Sequence, residues 1–461
     1  MISLRQLRKR LSSNKEGKTV VKNFGYLMLL QIAGYVFPFI TMPYLARVVG
    51  TTGFGKIAFA SAIICWAQTV ADWGFNYTAT RDVAQNRDNA DRVSEIFSNV
   101  LWARMLLTML SLIVLLVAIA FVPTFRADAD IILVTFIMVP GHIFFPDWFF
   151  QALERMKYTT MMNIAIKFIF TICVFLFIKH PGDYIIQPLL TSIAYVLCGC
   201  YSLWLILGKW GYKLKAPRWR QIFCTIKGST DVFINNLMPN LYNSFSVMLL
   251  GSLSGATANG LYDGGNKFVS IACNFQNVLS RAFFPFLSRR IDRSAFFAKI
   301  NMLSGIAVAI LLFVFAPVIV DIFLGAEFRN SISVMRVLAI SIIFLVLSNT
   351  YGTNYLILIH KERLLRNITG ICSLIGMLAA FPLISRFSYL GTAYTVCLSR
   401  TLLGLGVFAY AKYEMYKRHK EYNSMNINQS GGVICLEPLE FRTFGYNVAR
   451  ARMPFALVYN Y

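Results

Sequence analysis

The sequence predicts an all-α polytopic membrane protein with about twelve transmembrane helices. Three observations predict it. Hydrophobic residues fill 57% of 461 positions and charged residues only 14%, whereas a soluble domain is nearer half apolar and a quarter charged. The apolar residues come in unbroken runs, as at Leu106–Val122 and Ile300–Val320. A helix needs ~20 such residues to cross a ~30 Å hydrocarbon core. Basic residues gather in alternate connections between the runs.

The spans are placed at about 23–47, 56–77, 99–122, 130–152, 160–179, 184–208, 229–251, 260–286, 300–324, 332–359, 367–385 and 390–411. Alternate connections, taken with the two ends, hold 29 Lys/Arg on one side and six on the other. The positive-inside rule therefore puts both termini in the cytoplasm. The net charge of +23 follows from this topology, and no nucleic acid partner is needed to explain it.

The organisation reads as a basic cytoplasmic N-terminus (1–22), a six-helix bundle (23–208), a cytoplasmic linker (209–228), a second six-helix bundle (229–412) and a tail (413–461). From about Glu421 the tail is mixed in composition, with Gly431-Gly432, Pro438 and Pro454, and reads as a disordered cytoplasmic appendage. The outward loops are short, so the chemistry is expected within the membrane or at its faces. The two halves carry a faint repeat at an offset of 205: Lys22 and Lys227, Gln31 and Asn236, Gly50 and Gly255, Gly55 and Gly260. Transporters often place their substrate between such repeats.

Several function classes are excluded or disfavoured. The first apolar run is too long for a signal-peptide core and lacks a small-residue cleavage site, so it is expected to remain as an anchor. Most of the nine cysteines lie inside spans (Cys65, Cys173, Cys198, Cys200, Cys273, Cys372, Cys397) and read as small apolar packers. No cysteine or histidine spacing suits zinc. No phosphate-binding loop or dinucleotide fingerprint is present, and no cofactor is expected.

The candidate site residues are the polar groups that interrupt the spans. Arg104, Lys167, Lys267, Arg281, Arg336 and Arg400 fall at membrane depth. Each costs at least ~2.5 kcal/mol at a bilayer centre, so each is expected to face a cavity or a partner. Lys267 and Arg281 lie fourteen residues apart in span 8, which returns them to within ~40° of one face, ~21 Å apart. That face is a candidate track for an anion. Asp263, four residues before Lys267, is its candidate ion-pair partner, and Arg281 near the span end is also placed to snorkel.

Asp72 and Asp147 sit in the inner parts of spans 2 and 4. Glu154 follows Asp147 by seven residues, two turns on the same helical face. These acids suit either a gate network with Arg81, Arg155 or Lys157, or a site coupling transport to H+ or Na+. In span 7, Asn236, Asn240 and Asn243 form a polar stripe beside Pro239. Amides in hydrocarbon need partners, either neighbouring helices or water and sugar hydroxyls. Gln31 occupies the matching place in span 1. Pro38, Pro43 and Pro239 are expected to bend spans 1 and 7. Trp148, Phe149 and Phe150 suit interfacial anchoring or stacking on sugars.

Two stretches carry a family resemblance. One is Met42-Pro43-Tyr44-Leu45-Ala46-Arg47-Val48-Val49-Gly50, continued by Gly53-Phe54-Gly55, Asp72-Trp73-Gly74-Phe75 and Ala79-Thr80-Arg81. The other is Pro146-Asp147-Trp148-Phe149-Phe150-Gln151-Ala152-Leu153-Glu154-Arg155-Met156-Lys157-Tyr158. Leu261-Tyr262-Asp263 and the Pro285 region are similar in the same sense. The chain resembles the Wzx-type polysaccharide flippases, which carry O-antigen and capsule repeat units, of the multidrug/oligosaccharidyl-lipid/polysaccharide exporter superfamily. That resemblance implies two six-helix bundles around a central cavity and alternating access. The implied substrate is a polyprenyl-pyrophosphate-linked oligosaccharide, carried across a bacterial plasma membrane and handed to polysaccharide polymerase machinery. It also marks Arg47 and Arg81 as phosphate guides or gate residues.

A drug/cation antiporter of the same superfamily predicts an acidic cavity, against the six basic groups here. A peptidoglycan-precursor flippase predicts extra spans. A membrane-embedded polysaccharide polymerase or ligase predicts a large outward loop, which is absent. A purely structural subunit leaves the intramembrane cations unexplained.

Overall fold

The computed structural model describes residues 15–289 and 294–429. Among these residues no strand occurs, and the chain is a succession of helices. The first half holds α1 (Lys15–Asp72), α2 (Phe75–Gln85), α3 (Ala90–Phe121), α4 (Ala129–Phe136), α5 (Met138–Phe144), α6 (Asp147–Ala152), α7 (Met156–Phe177) and α8 (Ile186–Leu203). The second half holds α9 (Trp219–Leu237), α10 (Ser244–Arg289), α11 (Ser294–Phe323), α12 (Ser331–Ser348), α13 (Glu362–Phe387) and α14 (Tyr389–Gln429).

Nine segments among the described residues are long and apolar enough to cross a membrane. The expected count of twelve is not reproduced by that criterion, for a physical reason. Expected spans 1 and 2 are fused in α1, which turns at Gly50 (φ 66°, ψ −177°). Expected spans 7 and 8 are not among the nine: span 7 is divided between α9 and α10, and α10, which turns at Gly255 (φ 81°, ψ 179°), does not meet the criterion. Both turns need a positive φ, which glycine adopts without a Cβ penalty. The helix continues through Pro38 and Pro43, and Gly50 is its non-helical residue, so the bend lies about two turns beyond Pro43 and three beyond Pro38. In span 7 the break does come at the proline: Pro239 opens a 3-10 turn over Met238–Leu241.

The surface fits a hydrocarbon solvent. α3 exposes Met109, Leu110, Ile113, Val114 and Val117, and α11 exposes Leu303, Ile310, Leu311, Val314 and Val318. Contiguous apolar faces of this extent do not persist on soluble monomers. Two large cores lie inside. The first half packs around Ile64, Phe75, Phe97, Ile131, Phe149 and Phe150. The second packs around Val269, Ala316, Leu338, Ile342 and Val396, and it includes Met42, Leu45, Ala46 and Val49 of α1. The apolar residues of the first signature stretch therefore bind the two halves together.

The second signature stretch has a structural role. Trp148, Phe149 and Phe150 are buried in the first core, neither interfacial nor open to a sugar. Phe149 lies 4.9 Å from the Phe97 ring, and Phe150 lies 5.5 Å from the Trp210 ring. The eight cysteines among the described residues are free thiols. α14 runs to Gln429, so the start of the expected tail is helical. Residues 1–14 and 430–461 lie outside the described residues.

Candidate transport pathway

The repeat seen in the sequence is a contact in three dimensions. The Gly50 and Gly255 turns, which share one backbone conformation, face each other. The hydroxyls of Thr52 and Thr257 hydrogen-bond at 3.1 Å, and these two residues are 205 apart, the offset of the repeat. Gly55 faces the carbonyl of Ala256, and Gly260 faces the carbonyl of Thr51, so close that a Cβ at either glycine would overlap the opposing backbone. The contact is reciprocal, as a two-fold relation between the halves requires. We call it the collar.

Two polar links reinforce the collar across the halves. Arg47 donates to the carbonyl of Ile322 at 2.5 Å. Glu327 accepts from the backbone N–H of Thr51 at 3.4 Å, and its carboxylate lies 3.1 Å from where a Gly50 Cβ would stand. Arg47 thus clasps the second half. Sequence reasoning missed Thr52, Thr257 and Glu327. The threonine pair carried a signal, because it shares the 205 offset.

At the other end of spans 2 and 7 the halves meet again. Helix α1 ends at Asp72 in a left-handed turn at Trp73 and Gly74. The Trp73 ring stacks on Phe233 at 3.8 Å, and its Nε1 donates to the carbonyl of Ile226 at 3.1 Å. Thr78 and Ser229 hydrogen-bond at 2.7 Å. Between the two ends the Asn240 amide donates to Thr69 Oγ1 at 2.8 Å. Of the expected asparagine stripe, then, Asn240 bridges helices. Asn243 donates to the carbonyl of Pro239 in its own turn, and Asn236 is exposed.

The expected cations fall into two groups. Lys267 and Arg281 are both exposed on α10, and so is Asn274, midway between them at seven residues from each. These three define one open polar face. Lys267 also bonds Asp263 at 3.2 Å, as the spacing suggested, with half of its side chain still exposed (49%). Lys167 is half-buried on α7 and has no ion-pair partner among the described residues; its ammonium lies 3.3 Å from where a Gly34 Cβ would stand on α1. Gln31, one turn earlier on α1, is exposed.

The other cations are committed to protein. Arg104, expected at a cavity, is 1% exposed and bonds Asp72 at 2.5 Å and Asn76 at 2.8 Å. Removing Asp72 would strand the buried Arg104 guanidinium, a loss of about 3–5 kcal/mol. Arg336 donates to the carbonyl of Phe313, and Arg400 donates to Ser341 at 3.0 Å. Arg81 pairs with its neighbour Asp82 at 3.0 Å. It lines a pocket of about 260 Å³ with Thr78, Arg92, Asn99 and Ser229.

The expected pairing of Asp147 and Glu154 on one helical face is not formed. Asp147 follows Pro146 and accepts from the backbone N–H of Trp148, and α6 ends at Ala152. Glu154 sits in a left-handed turn (φ 57°) and bonds Arg87 at 3.0 Å. Arg155 instead lies over the Trp210 ring at 4.1 Å.

The chain has known relatives. A family model described as "Polysaccharide biosynthesis protein" matches residues 20–290. The chain belongs to this family. Two similar proteins bear the description "Putative O-antigen transporter". The one from Escherichia coli (strain K12) is 26% identical over 391 residues, covering 83% of this chain and 94% of its own. The one from Shigella dysenteriae is 24% identical over 390 residues, covering 83% and 98%. The motif resemblance to polysaccharide flippases is thereby borne out. Among solved structures, the lipid II flippase MurJ in an inward closed conformation superposes with a TM-score of 0.62, at 13% identity, covering 85% of this chain and 87% of that one. A MATE protein in a bent conformation gives 0.52 at 12% identity, covering 89% and 98%. These likenesses show the fold of the family member: a multi-pass helical membrane protein built like those transporters.

Proposed function

We propose that the protein is a flippase that moves polyprenyl-pyrophosphate-linked oligosaccharide repeat units across the bacterial plasma membrane by alternating access, for O-antigen, capsule or exopolysaccharide assembly. The observation that carries the reading is the collar. Two halves with the same kink meet through a reciprocal glycine contact, and parting there while closing elsewhere is what alternating access demands. With both termini in the cytoplasm, the collar is the outer gate and the Trp73–Phe233 seam lies on the inner side.

The cargo class follows from the open charges. A pyrophosphate needs cations in a place that lipid tails can reach; Arg281 and Lys167 have no ion-pair partner among the described residues, and Lys267, paired with Asp263, keeps half of its side chain exposed. Charge-assisted contacts to phosphate are worth about twice neutral ones. Asn274 and Gln31 add amide groups suited to sugar hydroxyls. The polyprenyl chain stays in lipid beside the exposed apolar residues of span 1, among them Leu29, Ile32 and Val36. The transporter descriptions of the bacterial relatives support this reading, as does the flippase title of the similar structure.

Expression in a strain that lacks its own flippase but makes the matching glycan should restore surface polysaccharide. Abundant membrane-inserted protein without restoration would count against the proposal.

A further inference from the structure

The collar contains one polar side chain that it leaves wholly unsatisfied. Asn259 lies one helical turn after the Gly255 kink of α10 and immediately before Gly260. It is 0% exposed, and neither its Oδ1 nor its Nδ2 has a hydrogen-bond partner. Its neighbours on the same arm, Ala258, Leu261 and Tyr262, are also buried. A Cβ at Gly251, on the other arm of the kink, would collide with both the Asn259 amide nitrogen and the Phe59 ring of the first half. The amide is thus enclosed where the two arms of α10 meet the first half.

The repeat shows that the contact does not require this amide. The residue 205 positions before Asn259 is Phe54, which is buried and packs edge-on against the Phe328 ring at 5.7 Å. The residue 205 positions before Gly251 is Ala46. The second half therefore lacks a methyl group at the place where its amide stands, and a helical glycine is less favourable than a helical alanine. It carries two local penalties, an unpaired amide and a helical glycine, that the first half avoids. A buried amide without partners is costly, and the cost disappears once water reaches it.

We infer that Asn259 sets how readily the collar opens, because its unpartnered amide destabilises the closed contact selectively. The inference rests on the alternating-access reading and names the residue that tunes that equilibrium. In the closed collar the amide has lost its water and gained nothing in exchange. When Gly260 parts from the Thr51 carbonyl and Gly55 from the Ala256 carbonyl, water enters beside Asn259 and its hydrogen bonds are restored. A collar with an apolar side chain here would close more tightly and part less often.

The test uses a reporter thiol. Ala46 is 1% exposed and packs in the core shared by the two halves, so Ala46→Cys is open to a soluble maleimide only when the halves part. Labelling rates are measured on the purified full-length protein in nanodiscs, with the chain lacking Ala46→Cys as the baseline for the native cysteines. In the reporter protein, Asn259→Ala should slow labelling about tenfold, ~1.4 kcal/mol, and raise the thermal unfolding midpoint. A buried large-to-small substitution ordinarily lowers that midpoint, so general damage would not mimic the rise. Asn259→Asp deepens the burial penalty and should speed labelling. Labelling of Asn259→Ala as fast as the reporter parent, or a lowered midpoint, would overturn the inference while leaving alternating access intact. A reporter that is never labelled in any variant would overturn both. Should Asn259→Asp fail to fold, Asn259→Ala decides alone.

Discussion

The double variant Thr52→Cys/Thr257→Cys should cross-link under oxidising conditions and stop transport, with activity returning on reduction. The hydroxyls it replaces are 3.1 Å apart across the collar, so two sulfurs in their place need only a small approach to reach a disulfide's ~2.05 Å. The bond would fasten the two halves where the proposed cycle requires them to part. Each single variant should retain activity, because a lost hydroxyl pair is worth only about 1 kcal/mol. Bulk at the same contact should act in the opposite sense. Gly55→Leu would drive a side chain into the Ala256 carbonyl and hold the collar apart, trapping the other state. The readout is surface polysaccharide in the flippase-deficient strain with and without reductant, beside the mobility of the cross-linked chain. A fully cross-linked protein that still transports at the normal rate would show that the halves need not separate there.

The second large effect concerns the open face of α10. Lys267→Ala and Arg281→Ala should each lower surface polysaccharide at equal protein levels, and together they should abolish it. One charge-assisted hydrogen bond to phosphate is worth about 1.5–3 kcal/mol, or roughly ten- to hundredfold in affinity. Lys267→Arg keeps the charge and should keep most of the activity, whereas Lys267→Gln should not. Lys167→Ala belongs to the same set, since its half-buried ammonium lacks an ion-pair partner among the described residues. Immunoblots of membrane fractions separate lost transport from lost protein. Full activity in both single alanine variants would sink the cationic-face proposal.

Much of this was legible in the sequence, and the exceptions share a cause. The helical fold, the paired glycines and the common face of Lys267 and Arg281 follow from spacing along the chain. Spacing survives folding wherever a helix stays straight. Asp147 and Glu154 seemed to share a face only because an unbroken helix was assumed. Pro146 and the left-handed Glu154 remove that helix. Arg104 seemed a cavity cation because its partner Asp72 lies 32 residues away, on a helix whose rotation no pattern reports. Trp148, Phe149 and Phe150 suit a core, an interface or a sugar equally by composition, and packing placed them in the core. The collar was half visible: four matches at one offset suggested a repeat, while the meeting of the repeats through Thr52 and Thr257 needed three dimensions.

Movement of the cargo itself tests the central claim most directly. The purified protein would be reconstituted into liposomes with a polyprenyl-pyrophosphate-linked oligosaccharide, and the glycan facing the outside would be measured over time with an impermeant lectin or glycosidase. The account predicts that the protein speeds redistribution of the glycan between leaflets over protein-free liposomes, and that the oxidised Thr52→Cys/Thr257→Cys variant loses this effect. Redistribution no faster than in protein-free liposomes, with folded protein present, would contradict it.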